Sequence, residues 1–150
     1  DNGFDHYEIS NFGKPGFHSK HNSAYWKSEP YLGIGPSAHS YNGNLERSWN
    51  VANNSLYIKN INQNIIPKEI EILSEKDRFN EMMMIGLRTI WGVDLNKINQ
   101  NFSPEIIDYF NEEIKNKIES GILKIEENHL LIPEKHWFLA DGIASDLFLV

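Results

Sequence analysis

The 150-residue sequence contains no cysteine, and this absence excludes several classes of site. Without thiolates the chain can form no disulfide, no zinc–thiolate centre and no iron–sulfur cluster of its own. A cysteine-free chain suits a reducing compartment, so we expect a cytoplasmic protein. No apolar run approaches the roughly 18 residues that a membrane-spanning helix needs, and without a charged-then-apolar opening we expect no secretory signal.

Positive charge is scarce, and the excess of negative charge is unevenly placed. The formal net charge is −7. Residues 1–60 hold five Lys/Arg and five Asp/Glu, whereas residues 61–150 hold nine and sixteen. The first part is also the richer in aromatic residues and glycine. This shift predicts a boundary within residues 50–62, where the sequence is polar and rich in asparagine.

The first part of the chain is predicted to form strands and loops. Residues 7–10 alternate in a β-favourable pattern that ends at glycine and proline. Residues 31–36 are predicted to form a second short strand, and residues 17–30 a loop that contains aromatic side chains. Residues 54–63 are predicted to form a short helix.

The second part of the chain is predicted to be mainly helical. Ser74 is expected to cap one helix and Asp94 to cap a short second helix. Ser103 and Pro104 open a third helix, whose apolar positions recur at intervals of three and four residues. A β-hairpin over residues 122–132 and a closing helix follow. The pattern predicts an α+β fold that ends in a winged-helix-like module.

A winged helix raises the question of DNA binding, and the charge of the third helix argues against it. Residues 104–119 carry five acidic residues and two lysines. Nucleic-acid binding depends on Lys and Arg that neutralise phosphates, so we predict no nucleic-acid partner.

The sequence HNSAYW at residues 21–26 contains the residue types of a haem contact. A neutral imidazole such as that of His21 is a good axial ligand for haem iron, and Tyr25 and Trp26 offer flat apolar surface. On chemistry alone, the alternative is that His21 is hydrogen-bonded within a loop while both aromatic residues cover a sheet. His18 and His39 could join His21 at a metal, but with no thiol or neighbouring carboxylate we predict no metal site.

Several motifs together resemble one protein family. They are YEISNFGKPG at 7–16, HNSAYW at 21–26, YLGIGPSAHS at 31–40, RSWN at 47–50 and EMMMIGLR at 81–88. They resemble the C-terminal half of oxygen-independent coproporphyrinogen III oxidase-like radical SAM proteins, and the H-N-x-x-Y-W pattern resembles the haem chaperone subgroup. The resemblance covers essentially the whole chain, but the cluster-binding cysteines of that family are absent. We therefore expect a fragment of a longer protein.

The resemblance implies domains and site residues. Residues 1–53 would be the C-terminal remnant of the radical SAM barrel, and residues 54–150 a mainly helical, winged-helix-like domain. His21 would bind haem with Tyr25 and Trp26, and no catalytic residue is expected in this chain. The segment Leu32, Gly33 and Ile34 would border the S-adenosylmethionine pocket. The intact protein would also hold a 4Fe-4S cluster.

The resemblance also implies a function. The intact protein would bind haem, deliver it to acceptor proteins and associate peripherally with membranes. Two alternatives remain open at this stage: a coproporphyrinogen III oxidase, and a non-catalytic docking domain. Because a segment that packs inside a barrel exposes apolar faces when it is isolated, self-association of this chain is a further expectation.

Overall fold

The computed structural model describes residues 2–150, which divide into two compact units. The first unit contains the residues up to Lys27 together with Glu75–Val150, and the second contains Ser28–Ser74. These units do not follow the predicted domain boundary after residue 53, which remains a prediction about the whole protein. The difference arises because two segments pair with residues that lie far away in sequence. Residues 7–9 hydrogen-bond with residues 88–90, and residues 68–72 pair with residues 46–50.

The secondary structure is mixed, as the sequence predicted. The strands are β1 (Asp5–Glu8), β2 (Asn11–Gly13), β3 (His39–Tyr41), β4 (Glu46–Asn50), β5 (Lys68–Ile72), β6 (Val93–Asp94), β7 (Lys124–Glu126) and β8 (His129–Leu131). The helices are α1 (Lys20–Trp26), α2 (Asn54–Ile61), α3 (Glu75–Gly86), α4 (Leu95–Asn101), α5 (Pro104–Glu119) and α6 (Ala140–Ser145), with a 3₁₀ helix at Glu134–Leu139. Within residues 2–150, no helix combines the length and the apolar character needed to span a bilayer.

The hydrophobic core of the first unit lies among α3, α5, α6 and the hairpin β7–β8. Phe79 is completely buried, and its ring meets the rings of Phe102 and Phe110 edge-on at centroid distances of 5.6 and 6.0 Å. α5 contributes Phe110 and Ile114, four residues apart on one face. This is the helical stripe that the sequence predicted, because residues four apart lie on the same side of a helix.

Two local predictions in this unit are confirmed, the Asp94 cap and the C-terminal hairpin. The Asp94 carboxylate accepts a hydrogen bond of 2.9 Å from the Asn96 amide and caps α4. The hairpin forms between β7 and β8, and β6 adds a third antiparallel strand beside β8. Glu127 and Asn128 both have positive φ at the hairpin turn, as a tight two-residue turn requires.

The β1–β2 hairpin is attached to the helical part of the first unit by backbone hydrogen bonds. The Ile9 amide donates to the Arg88 carbonyl at 3.0 Å, and the Ile90 amide donates to the Tyr7 carbonyl at 3.1 Å. Because β1 pairs with the segment that follows α3, the first residues of the chain belong to the same compact unit as the C-terminal helices.

The second unit is a three-stranded antiparallel sheet in the order β3–β4–β5, together with α2. The helix predicted at 54–63 is confirmed as α2, with the Asn53 side chain as its cap. The sequence did not predict β5, which forms by antiparallel pairing with β4.

The strand predicted over residues 31–36 is wrong. Only Tyr31 makes a β-bridge, to Tyr41. Beyond it, the Asn50 side-chain amide donates to the carbonyls of Gly33 and Gly35, at 3.4 and 2.9 Å. These side-chain bonds replace the ladder that a strand would have formed.

Candidate functional site

The residues of the HNSAYW motif form α1, where the sequence had predicted a loop. The Ser19 hydroxyl accepts a hydrogen bond of 3.3 Å from the Asn22 amide and so caps the helix. The helix has only seven residues and follows a turn containing Pro15 and Gly16. Its pattern was too short and too aromatic to be recognised as helical, although the serine cap was a usable signal.

His21 lies on the open side of α1. Its side chain is exposed, and it has no hydrogen-bond, ion-pair or ring partner among residues 2–150. Tyr25 lies one turn later, on the same face of the helix, and is 48% exposed. The structure therefore brings an imidazole with free nitrogen atoms and a phenol ring to one accessible surface.

Trp26 lies partly on the inner side of α1. The Arg88 guanidinium lies 5.7 Å from the centre of its indole ring, a cation–π distance. The Trp26 indole nitrogen and the Ser23 hydroxyl are buried and have no hydrogen-bond partner within the described residues. A cation–π contact between Trp26 and Arg88 therefore joins α1 to the rest of the first unit. The two buried polar atoms on the inner side of α1 have no hydrogen-bond partner among the described residues.

A buried ion pair holds Arg88 in place beneath α1. Glu8 is fully buried, and its Oε1 atom accepts hydrogen bonds from Arg88 Nε and Nη2 at 3.3 and 3.2 Å. Its other oxygen accepts from the Ser10 amide at 3.0 Å and from the Asn11 side chain. Arg88 Nη1 also donates to Asp141 at 2.5 Å. Sequence reasoning missed this pair, because 80 residues separate its partners.

His18 has a different environment from His21. Its Nε2 lies 2.9 Å from Asp5 Oδ2, and its ring stacks on Tyr7 at 4.4 Å and meets Trp91 at 6.4 Å. These contacts occupy both the ring face and one nitrogen, so His18 is a packing residue of the first unit.

The structure does not assemble a metal site from the histidines. His39 belongs to the second unit, where its ring lies 6.0 Å from that of Trp49. Within residues 2–150, no group of three or more His, Asp or Glu side chains is placed to hold a metal ion.

The segment Leu32, Gly33 and Ile34 lines a groove of about 380 Å³ in the second unit. The Leu32 and Ile34 side chains are 80% and 84% exposed. The Gly33 amide donates to Ser40 Oγ at 3.0 Å, and a Cβ atom at Gly33 would lie 2.1 Å from the His39 carbonyl oxygen. Glycine is therefore required here by the close approach of two backbone segments. His21, Tyr25 and Trp26 belong to the other unit.

One titratable group in the first unit has a shifted pKa that can be assigned to its surroundings. Burial, together with the nearby negative charge of Glu113, raises the pKa of Tyr109 above its usual range. Its hydroxyl donates to the Phe148 carbonyl at 2.9 Å. Tyr109 thus supports the core and takes no part in the candidate site.

Comparison with known proteins gives one family match and several relatives. Residues 73–139 match the family described as "HemN C-terminal domain". The chain is 34% identical over 148 residues to "Heme chaperone HemW" of Lactococcus lactis, and 30% identical over 142 residues to that of Bacillus subtilis. These alignments cover 99% and 94% of this chain but only 38% and 37% of the relatives. A bovine protein called "Radical S-adenosyl methionine domain-containing protein 1, mitochondrial" is 30% identical over an alignment of 142 residues that covers 85% of this chain and 31% of that protein.

One solved structure has a similar fold. The match to "Coproporphyrinogen III oxidase (HemN) from Escherichia coli is a Radical SAM enzyme" has a TM-score of 0.64 and 17% identity, and covers 97% of this chain and 37% of that one. At this identity the likeness is one of fold. The chain thus spans well under half the length of the proteins it matches.

Proposed function

We propose that this chain, which belongs to the coproporphyrinogen oxidase-like family that includes the HemW haem chaperones, is part of a protein that binds haem and delivers it to acceptor proteins. Two relatives that are 34% and 30% identical to this chain are named haem chaperones, and the HemN resemblance is one of fold, which favours the chaperone over the oxidase. The cytoplasmic location and a peripheral association with membranes belong to the same proposal.

The observation that carries this proposal is that the His21 side chain is exposed and has no partner among the described residues. An axial ligand must present a neutral nitrogen with a free lone pair to the iron. His21 is exposed and partner-free among the described residues, whereas His18 is engaged by Asp5 and Tyr7. Of the two histidines in this segment, only His21 can bind iron without first losing native contacts.

Tyr25 and Trp26 have separate roles in this proposal. Tyr25 shares the open face of α1 with His21 and supplies apolar surface beside the porphyrin. Trp26 rests against Arg88 and fixes the helix that carries both residues. Haem supplies an open coordination position on iron, and this chain supplies the nitrogen that fills it.

The proposal also assigns roles to the rest of this chain and to the longer protein of which it would be part. Leu32, Gly33 and Ile34 would border S-adenosylmethionine through backbone and apolar groups, at the end of a radical SAM barrel formed with residues 1–53. A 4Fe-4S cluster would need cysteines that this chain lacks. Residues 54–150 would form the winged-helix-like domain of the family.

Haem titration followed by transfer tests the proposal. We expect saturable binding to the protein with a Soret band, and transfer of that haem to apomyoglobin as a probe acceptor. Haem uptake that never saturates, or bound haem that apomyoglobin cannot remove, would contradict the chaperone function.

A further inference from the structure

Residues 9–28 form a surface segment that combines positive charge with exposed aromatic rings. The segment contains three lysines and neither aspartate nor glutamate, in a chain whose net charge is −7. Phe17 and Tyr25 are 81% and 48% exposed. A ligand that matched both features would be flat, apolar and anionic.

Lys20 is the lysine of this segment that has no partner. It is exposed, and no hydrogen bond, ion pair or ring contact engages it within the described residues. Lys14 and Lys27 each lie near an aromatic ring, at 6.0 and 5.0 Å from the ring centres. Lys20 directly precedes His21 at the start of α1.

The positive charge of Lys20 does not stabilise the helix in which it lies. The positive end of a helix dipole is at its N-terminus, so a cation in the first turn is unfavourable and an anion is favoured. α1 has no acidic residue in its first turn and begins with Lys20 instead. The positive charge of Lys20 therefore makes no favourable contribution to α1.

The carboxylates that contact this segment do not neutralise Lys20. Asp5 is engaged by His18 at 2.9 Å. Glu8 is fully buried and holds Arg88 and the Ser10 amide. The positive charge of Lys20 is therefore available to an external anion.

We infer that Lys20 recognises a propionate carboxylate of the haem that His21 binds, an inference that rests on the proposed function. Haem has two propionates at one edge of an apolar ring, which matches the charge and the exposed rings of this segment. An exposed ammonium–carboxylate pair is screened by salt and contributes modestly, so Lys20 should strengthen haem binding by a small factor and leave binding of a porphyrin without free carboxylates unchanged.

The experiment compares haem with its dimethyl ester, in which both carboxylates are masked. Wild type, Lys20→Gln, Lys20→Arg and Lys115→Gln are titrated with each ligand in the same detergent, at low and high salt. Lys115 is an exposed lysine of the acidic helix α5 and controls for the loss of one charge.

We expect Lys20→Gln to bind haem about two- to fivefold more weakly than wild type, with the ester unaffected and with unchanged thermal stability. Lys20→Arg and Lys115→Gln should behave as wild type, and salt should reduce the preference for haem over the ester. Equal haem binding by Lys20→Gln and wild type would overturn the inference and leave the proposed function intact. If wild type binds neither ligand, both fail.

Discussion

The two compact units bury their apolar side chains very differently. The first unit encloses fifteen buried hydrophobic residues in one cluster, including Phe79, Met83 and Leu130 at 0% exposure. Within residues 28–74, all of which the structure describes, Leu73 is the one large apolar side chain that is buried. There Ile34 is 84% exposed, and Ile66, Ile70 and Ile72 are 66%, 53% and 67% exposed.

This contrast shows which apolar residues are explained by packing within the chain. The first unit has a closed core that can provide most of its stability. The apolar residues of the second unit have no such explanation, and exposed patches of this kind mark contact with other protein surfaces. The chain covers only 38% of its Lactococcus lactis relative, so we expect additional chain to cover the second unit in a longer protein.

The largest expected effect is a loss of stability when a core side chain of the first unit is truncated, and it tests this contrast. Phe79→Ala should lower the free energy of unfolding by about 3–5 kcal/mol, because it leaves a cavity in a closed core. Ile72→Ala in the second unit should change it by less than about 0.5 kcal/mol. Urea denaturation followed by circular dichroism measures both values. Similar losses for the two variants would show that the second unit has a core of its own.

A second prediction concerns the buried ion pair that holds the first residues of the chain to the helices. Arg88→Ala should destabilise the first unit by about 3 kcal/mol, because Glu8 is left charged and buried without its partner. Asp141→Asn is the control, since it removes only the exposed partner, and we expect a change below about 1 kcal/mol. If Arg88→Ala were as mild as its control, the pair would not anchor β1.

A smaller effect is expected at the edge of the same core. Tyr109→Phe removes the hydrogen bond to the Phe148 carbonyl and should cost about 1 kcal/mol. Burial raises the pKa of Tyr109, so the folded state favours the neutral phenol. Its contribution is complete below the ordinary tyrosine pKa of about 10 and is lost as the pH rises through the folded value.

The pH dependence provides the check on this smaller prediction. Stability curves of wild type and Tyr109→Phe should converge above about pH 10. Parallel curves across that range would show that the phenol ionises as easily in the folded chain as in the unfolded one.

Local sequence signals predicted the elements that depend on neighbouring residues. α4 and α5 were recognisable from Asp94, Ser103 and Pro104, and the hairpin β7–β8 from its polar turn. The sequence missed the elements that distant contacts create. β5 forms only against β4, and the pairing of Glu8 with Arg88 joins residues 80 apart.

The candidate site was predictable in part for the same reason. The chemistry of imidazole and the HNSAYW motif identified His21, Tyr25 and Trp26 as candidates. The sequence could not show that these residues lie on a helix, nor that Trp26 faces Arg88 while His21 faces outward. His18 differs from His21 because Asp5 and Tyr7 contact the His18 ring and do not contact the His21 ring.

The central claim is that His21 binds the ligand and His18 supports the fold. The most direct test measures the Soret band on haem titration and the melting temperature for both His21→Ala and His18→Ala. We predict that His21→Ala loses or shifts the Soret band and melts as wild type does, whereas His18→Ala melts lower and keeps the band. A lower melting temperature with an unchanged haem spectrum in His21→Ala would contradict the account.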